Sequence, residues 1–120
     1  MIMATWKPKR NKYNARRTEY RGVMYDSKGE AGLAAQIDAL ITVGQVAGVE
    51  RQKRFDLIGA NGSKIGTHRP DFLLTFADRH REVWEWKGCP SRDWILRKKL
   101  FQDNNPKITY RVFGNKKLAV

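Results

Sequence analysis

The segment 81–87, REVWEWK, constrains this chain more than any other stretch. Branched and aromatic side chains fit a pleated surface, so a seven-residue stretch carrying Val83, Trp84 and Trp86 favours a strand over a helix. Strand alternation then sends Val83, Glu85 and Lys87 to one face and Glu82, Trp84 and Trp86 to the other. A partner lies just upstream in 68–77, HRPDFLLTFA, joined by the short connection Asp78-Arg79-His80. In an antiparallel hairpin the indices of facing residues keep a constant sum. A sum of 158 sets Phe72 against Trp86, Leu74 against Trp84 and Asp71 against Lys87, which packs the aromatic face well; a sum of 156 sets Asp71 against Glu85. Either even register brings Asp71, Glu85 and Lys87 onto one face. Two carboxylates on neighbouring strands, with Cβ atoms about 5–8 Å apart, can share one divalent cation. Sheet stability does not ask for that arrangement, because like charges this close repel unless something positive lies between them.

Upstream, Thr18 to Ser27 (TEYRGVMYDS) has an extended pattern with a turn expected at Arg21-Gly22. Ser27 is a good N-cap with Glu30 three residues on, followed by Leu33, Ile37, Leu40 and Ile41 at helical spacing, and Gly44 ends the helix at about Val43. At 100° per residue Glu30 falls in the apolar stripe with Ala34, Ile37 and Ile41, a direction that a purely capping glutamate does not need. A strand is expected over 49–58, then a turn at Asn61-Gly62, strands over 68–77 and 81–87, a helix over 92–103 capped by Ser91, a stop at Asn104-Asn105-Pro106, and a strand over 107–113. The order helix, three strands, helix, strand predicts an α/β or α+β single domain with a mixed sheet flanked by helices.

At 120 residues the chain has room for one domain, placed over 17–120 behind a basic arm at 1–16. The 24 Lys+Arg against 12 Asp+Glu leave a formal charge of +12, which points to a polyanion and above all to nucleic acid. Within and beside the arm, Lys7, Lys9, Arg10, Lys12, Arg16 and Arg17 are candidate phosphate contacts, and Trp6 and Tyr13 could stack on bases. A solubilising tail is the competing reading of the arm. No apolar run is long enough to span a membrane. The single cysteine, Cys89, excludes an internal disulfide, and the basic start lacks the apolar stretch of a secretory signal, so a cytoplasmic protein is expected.

Taken together, Glu30 on the first helix, Pro70-Asp71 at the head of a strand and Glu85-Trp86-Lys87 fourteen residues later resemble the PD-(D/E)xK nuclease signature. The surrounding KYNARRTEYRGVMYDSKGEA, the strand carrying Gln52, and the PDF, EWKG and RKKLF segments resemble more narrowly a group of small phage endonucleases of that superfamily, over Lys12 to Phe113. The resemblance implies a restriction-endonuclease-like core and an Mg²⁺ site, with Mn²⁺ able to substitute. Asp71 and Glu85 would be its carboxylates, assisted by Glu30 and the main-chain carbonyl of Trp86. Lys87 would orient or help deprotonate the attacking water and stabilise charge on the phosphoryl oxygens. Such hydrolysis of DNA leaves a 5′-phosphate and a 3′-hydroxyl, with the cation polarising a phosphoryl oxygen. A branched or otherwise structured DNA substrate, a role in phage DNA recombination, replication or processing, and a homodimer cutting two strands all accord with so small a domain.

Gln52 resembles a polar residue that some branches of the superfamily hold beside the metal, and an outward polar residue of a half-buried strand is the plain alternative. Arg97, Lys98 and Lys99 fan around the second helix, so one or two of them can reach phosphate. His68 and His80 lack metal-ligand spacing and are expected as structural or surface residues, Cys89 as a packing residue, and Trp84, Trp86 and Trp94 as core. A second functional class is a basic nucleic-acid-binding protein without catalysis on a nuclease-like fold. The triplet Asp71, Glu85 and Lys87 separates the two, because a face that only binds phosphate gains nothing from two acids.

Overall fold

The computed structural model describes residues 17–114. Strands β1 (Thr18–Tyr20) and β2 (Val23–Tyr25) pair through Tyr20 and Val23. The two residues between them, Arg21 (φ 51°) and Gly22 (φ 80°), both take positive φ, as a tight hairpin turn compatible with strand twist requires. Helix α1 (Lys28–Thr42) follows, with the Ser27 Oγ accepting from the Glu30 N–H at 3.0 Å. It stops at Gly44, whose φ of 81° lets the Gln45 N–H turn back to the Leu40 carbonyl.

The chain then forms β3 (Val46–Arg51), β4 (Phe55–Ile58), β5 (Lys64–His68), β6 (Phe72–Phe76), β7 (Arg81–Lys87), α2 (Arg92–Asn104) and β8 (Thr109–Gly114). One four-stranded sheet runs in the order β3-β6-β7-β8; β3, β6 and β7 are antiparallel and β8 is parallel to β7, with α2 as the crossover. The fold is therefore mixed α+β around a mixed central sheet. On one face, α1 packs Ala31, Leu33, Ala34 and Ile37 onto Phe72, Leu74, Trp84 and Trp86. On the other, Phe101 of α2 packs with Leu73, Val83, Ile108 and Leu57. Among the described residues no helix is long and apolar enough to cross a membrane.

Three expectations need correction. The single strand over 49–58 is two, because Gln52 takes a left-handed backbone (φ 54°) and turns the chain off the sheet. Its second half, β4, pairs instead with β5 around the Asn61-Gly62 turn, in a separate two-stranded hairpin that α2 covers. The strand over 68–77 begins only at Phe72; His68 belongs to β5, and Pro70, which has no N–H to give a ladder, separates the two. The β6–β7 register has an index sum of 156, with Phe72 facing Trp84 and Leu74 facing Glu82, so the pairing of Phe72 with Trp86 does not occur.

Gly29 fixes how α1 meets the sheet. A Cβ at this position would lie 2.0 Å from Cε2 of Trp86, so the first turn of the helix rests directly on the indole. Backbone and ring are in contact at the point of β7 that lies between Glu85 and Lys87.

Candidate active site

The head of β6 and the tail of β7 meet at the acid pair. Continued one step past the Phe72–Trp84 pair, the register directs Asp71 toward Glu85, whose charge acts on it, and the Trp86 N–H donates to Asp71 Oδ2 at 2.8 Å. The Gln52 N–H also donates to the Asp71 carbonyl at 3.0 Å. The bend at Gln52 therefore anchors the backbone of Asp71, while the Gln52 side chain is exposed. Burial drives the Asp71 carboxyl up to about 8, with the charges of Glu85 and Glu30 adding to the rise and the Trp86 N–H and Lys87 opposing it. Burial likewise raises Glu85, against the hydrogen bond from Tyr110 and the charge of Lys87. Lys87 extends over the ring of Trp94, its Nζ 5.1 Å from the centroid. The Trp94 indole N–H is buried without a hydrogen bond among the described residues, yet it is close enough to Glu85 to favour the anion.

Glu30 reaches the same neighbourhood from α1. It is 4% exposed, as its place in the apolar stripe predicts. Its carboxyl is raised by burial, against the pull of Arg51, with Asp26 and Glu85 adding to the rise. Arg51 Nη2 stands 3.6 Å from Glu30 Oε2, longer than a hydrogen bond, and that oxygen has no hydrogen-bond partner among the described residues. As the side chains stand, no three His, Cys, Asp or Glu residues among those described converge on one metal position. Asp71 and Glu85 are the two acids that could hold a cation, with Glu30 as a coupled neighbour.

Behind Glu85 runs a buried polar relay that the sequence did not announce. Tyr110 on β8 donates its hydroxyl proton to Glu85 Oε1, and His68 Nε2 lies 2.8 Å from the same hydroxyl oxygen. Burial, reinforced by the charges of Arg97 and Lys87, lowers His68 to about 4, so it is neutral near pH 7. With the Tyr110 proton given to Glu85, His68 must donate from Nε2, which fixes its tautomer. Burial and the Glu85 charge push the Tyr110 hydroxyl strongly upward. The available signal was a tyrosine on the inward face of 107–113, between Ile108 and Val112. Tyr110→Phe is expected to leave Glu85 and His68 short of a partner, at a cost of about 1–3 kcal/mol in thermal unfolding.

The other expected residues divide. Arg97 is held by Asp93 at 2.7 Å and by the Thr67 carbonyl, so it braces α2 against β5. Lys98 lies over Tyr110, 5.3 Å from the ring centroid, where burial lowers its pKa, while Lys99 is exposed. His80 bonds Asp78 and Glu82, Glu82 also accepts from Trp84 and Arg111, and the group closes the far end of the β6–β7 hairpin. Trp94 is buried and Trp84 and Trp86 pack against the α1 core as expected, while Cys89 is exposed rather than packed. Arg17 lies at the start of the described chain, whereas Trp6, Lys7, Lys9, Arg10, Lys12, Tyr13 and Arg16 of the basic arm lie outside the described residues.

No curated protein and no solved structure gives a significant match to the chain. Residues 10–118 match the family described as "Protein of unknown function (DUF1064)". That match takes in nearly the whole chain, including both strands of the acid pair, α1, α2 and β8, and the chain belongs to the DUF1064 family.

Proposed function

We propose that this protein is an Mg²⁺-dependent endonuclease that hydrolyses DNA phosphodiester bonds at Asp71, Glu85 and Lys87. The observation that carries this reading is the approach of a half-buried Asp71 to a buried Glu85, both raised in pKa, beside a lysine in a chain of charge +12. Two acids that destabilise each other in a basic protein need a positive partner. The donor set fits a hard divalent ion, since Mg²⁺ commonly takes one or two carboxylates and completes its shell with water and phosphate oxygens. Glu30 Oε2, which accepts no hydrogen bond among the described residues, is an acceptor suited to a water at the edge of such a site. Bound there, the cation would polarise a phosphoryl oxygen and make water a better nucleophile.

The chain's own groups supply the rest. Asp71, held by the Trp86 N–H, and Glu85, held by Tyr110, present oxygens of fixed direction. Lys87 orients the attacking water and stabilises charge gathering on the phosphoryl oxygens. Lys98 and Lys99, with the basic arm, attract the backbone. The order of α1, β3, β6, β7, α2 and β8 accords with a restriction-endonuclease-like core into which β4 and β5 are inserted. A protein that only binds nucleic acid would turn a repulsive acid pair toward a polyanion without gain, which is why catalysis is preferred.

The test is incubation of purified protein with plasmid, linear and four-way-junction DNA in Mg²⁺, Mn²⁺ or EDTA. Cleavage in either metal, absent in EDTA and leaving 5′-phosphates, is expected; binding without cleavage in either metal would return the protein to the non-catalytic class. Glu30→Gln is expected to change metal-free stability by under ~1 kcal/mol. It should also raise the Mg²⁺ concentration needed for cleavage by roughly ten- to a hundredfold. Ser27→Ala is the control, losing about 1 kcal/mol of cap energy with an unchanged Mg²⁺ requirement.

A further inference from the structure

A cleft of about 260 Å³ opens between the β1–β2 hairpin, α1 and β3. Its floor is apolar, with Ile37 and Phe72 nearly fully buried, and its rim carries Tyr20, Val49, Arg21 and Arg51. The cleft lies on the α1 face of the sheet, whereas alternation turns Asp71 and Glu85 to the α2 face with Leu73 and Val83. The link between them is at the end of the sheet, where Arg51 lines the cleft and stands 3.6 Å from Glu30, whose charge acts on Asp71. Arg51 lies over Tyr25, 4.4 Å from the ring centroid, and Arg21 lies 5.8 Å from that of Tyr20, so each cation of the opening is beside an aromatic face. The Tyr20 hydroxyl donates to Asp38 Oδ2 at 2.9 Å and Arg21 Nε stands 3.6 Å from the same oxygen; a carboxylate can accept further bonds beyond these.

We propose that this cleft receives one unpaired nucleobase of the DNA strand whose phosphate lies at Asp71 and Glu85. The proposal rests on the nuclease reading and names the substrate class: DNA with an unpaired nucleotide beside the cut, as at a flap, gap or branch point. A nucleic acid has one apolar, flat group to offer a pocket, and that group is hidden while it is stacked and paired. Arg21 and Arg51 against the one acid of the lining, Asp38, leave the opening net cationic, which favours a strand that brings phosphates with it and disfavours the chain's own basic arm or a second copy of charge +12 as the occupant. Asp38 supplies an acceptor for an exocyclic amine, and the arginines supply stacking planes.

The experiment uses wild-type protein in EDTA and a short duplex bearing a single unpaired 2-aminopurine at one end, with the same duplex carrying an abasic nucleotide there and a blunt duplex as references. Quenching of the 2-aminopurine on binding is expected, with the abasic overhang bound roughly five- to a hundredfold more weakly, close to the blunt duplex. Val49→Trp, a residue type that strands accept, fills the cleft and should abolish both the quenching and the preference. Equal affinity for base and abasic overhangs, in a protein that cuts the same DNA in Mg²⁺, overturns the cleft and leaves the nuclease reading intact. A base preference without cutting of any DNA in Mg²⁺ or Mn²⁺ overturns the nuclease reading, and with it the placement of the base beside a scissile phosphate. If Val49→Trp leaves the quenching unchanged but dissociates a dimer in sedimentation, the cleft belongs to a second copy and the proposal is wrong.

Discussion

Asp71→Asn is expected to abolish Mg²⁺-dependent cleavage while making the metal-free protein more stable at pH 8. Asparagine keeps a side-chain oxygen for the Trp86 N–H, so the local geometry survives, but it removes one of the two charges a cation would neutralise. The stability effect follows from linkage. Asp71 has a folded-state pKa of about 8 against an ordinary 3.8, so between those values the folded protein holds a proton that the unfolded chain has lost, and stability falls as pH rises across that window. Glu30 and Glu85, also raised, act with the same sign. So does His80, raised by its bonds to Glu82 and Asp78, whose contribution is present below 6.5 and fades as pH climbs through its folded value. His68 acts oppositely: lowered from 6.5 to about 4, it contributes fully above 6.5 and loses that contribution as pH falls toward 4. The difference between Asp71→Asn and wild type therefore reads Asp71 together with the relief its neutralisation gives Glu85 and Glu30. It should be small near pH 4 and reach on the order of 3 kcal/mol at pH 8 in EDTA. Thermal unfolding in EDTA across pH 4–9 reads it directly; a variant no more stable than wild type at pH 8 would mean that Asp71 is comfortably charged without a metal.

Gly29→Ala carries the largest expected structural effect. Its methyl group would be placed 2.0–2.4 Å from three atoms of the Trp86 indole, a rigid ring packed against the α1 core that can yield only by moving the helix or the strand. Overpacking of this kind costs about 1–3 kcal/mol, against the small gain that alanine normally brings inside a helix. Because Trp86 lies between Glu85 and Lys87 and its N–H holds Asp71, the displacement is transmitted to the acid pair. The expected result is a lower Tm, and cleavage impaired even at temperatures where the variant remains folded. A companion Trp86→Leu change should recover stability in the Gly29→Ala background by making room for the methyl group. Failure of that rescue would show that the close contact is not what Gly29 is there to permit.

What could be seen in advance was local. The start of α1 was legible because Ser27, Glu30 and the apolar spacing lie within a few residues of one another, and the two faces of β7 follow from alternation alone. Asp71 facing Glu85 needed only a short hairpin connection and a choice between two even registers. What stayed hidden depended on residues distant in sequence. Nothing around Gln52 announces a left-handed backbone, since it carries neither glycine nor proline, so the split of 49–58 into β3 and β4 was invisible. Tyr110 meets Glu85 only because the α2 crossover sets a parallel register that puts Tyr110 beside Val83. His68 joins them because Arg69-Pro70 separates β5 from β6. Gly29 looked like an indifferent residue in the first helical turn until the indole beneath it was located.

Whether Asp71 and Glu85 form a cation site is read by calorimetric titration of Mn²⁺ into the metal-free protein. At pH 7 the raised pKa of Asp71 leaves its carboxyl largely protonated, so a bound cation must expel that proton. Repeating the titration in two buffers of different ionisation enthalpy should give one saturable site with about one proton released per cation, the release fading toward pH 9, and no site in Asp71→Asn. Binding unchanged in Asp71→Asn, or no saturable binding by the wild type at millimolar Mn²⁺, would contradict such a site.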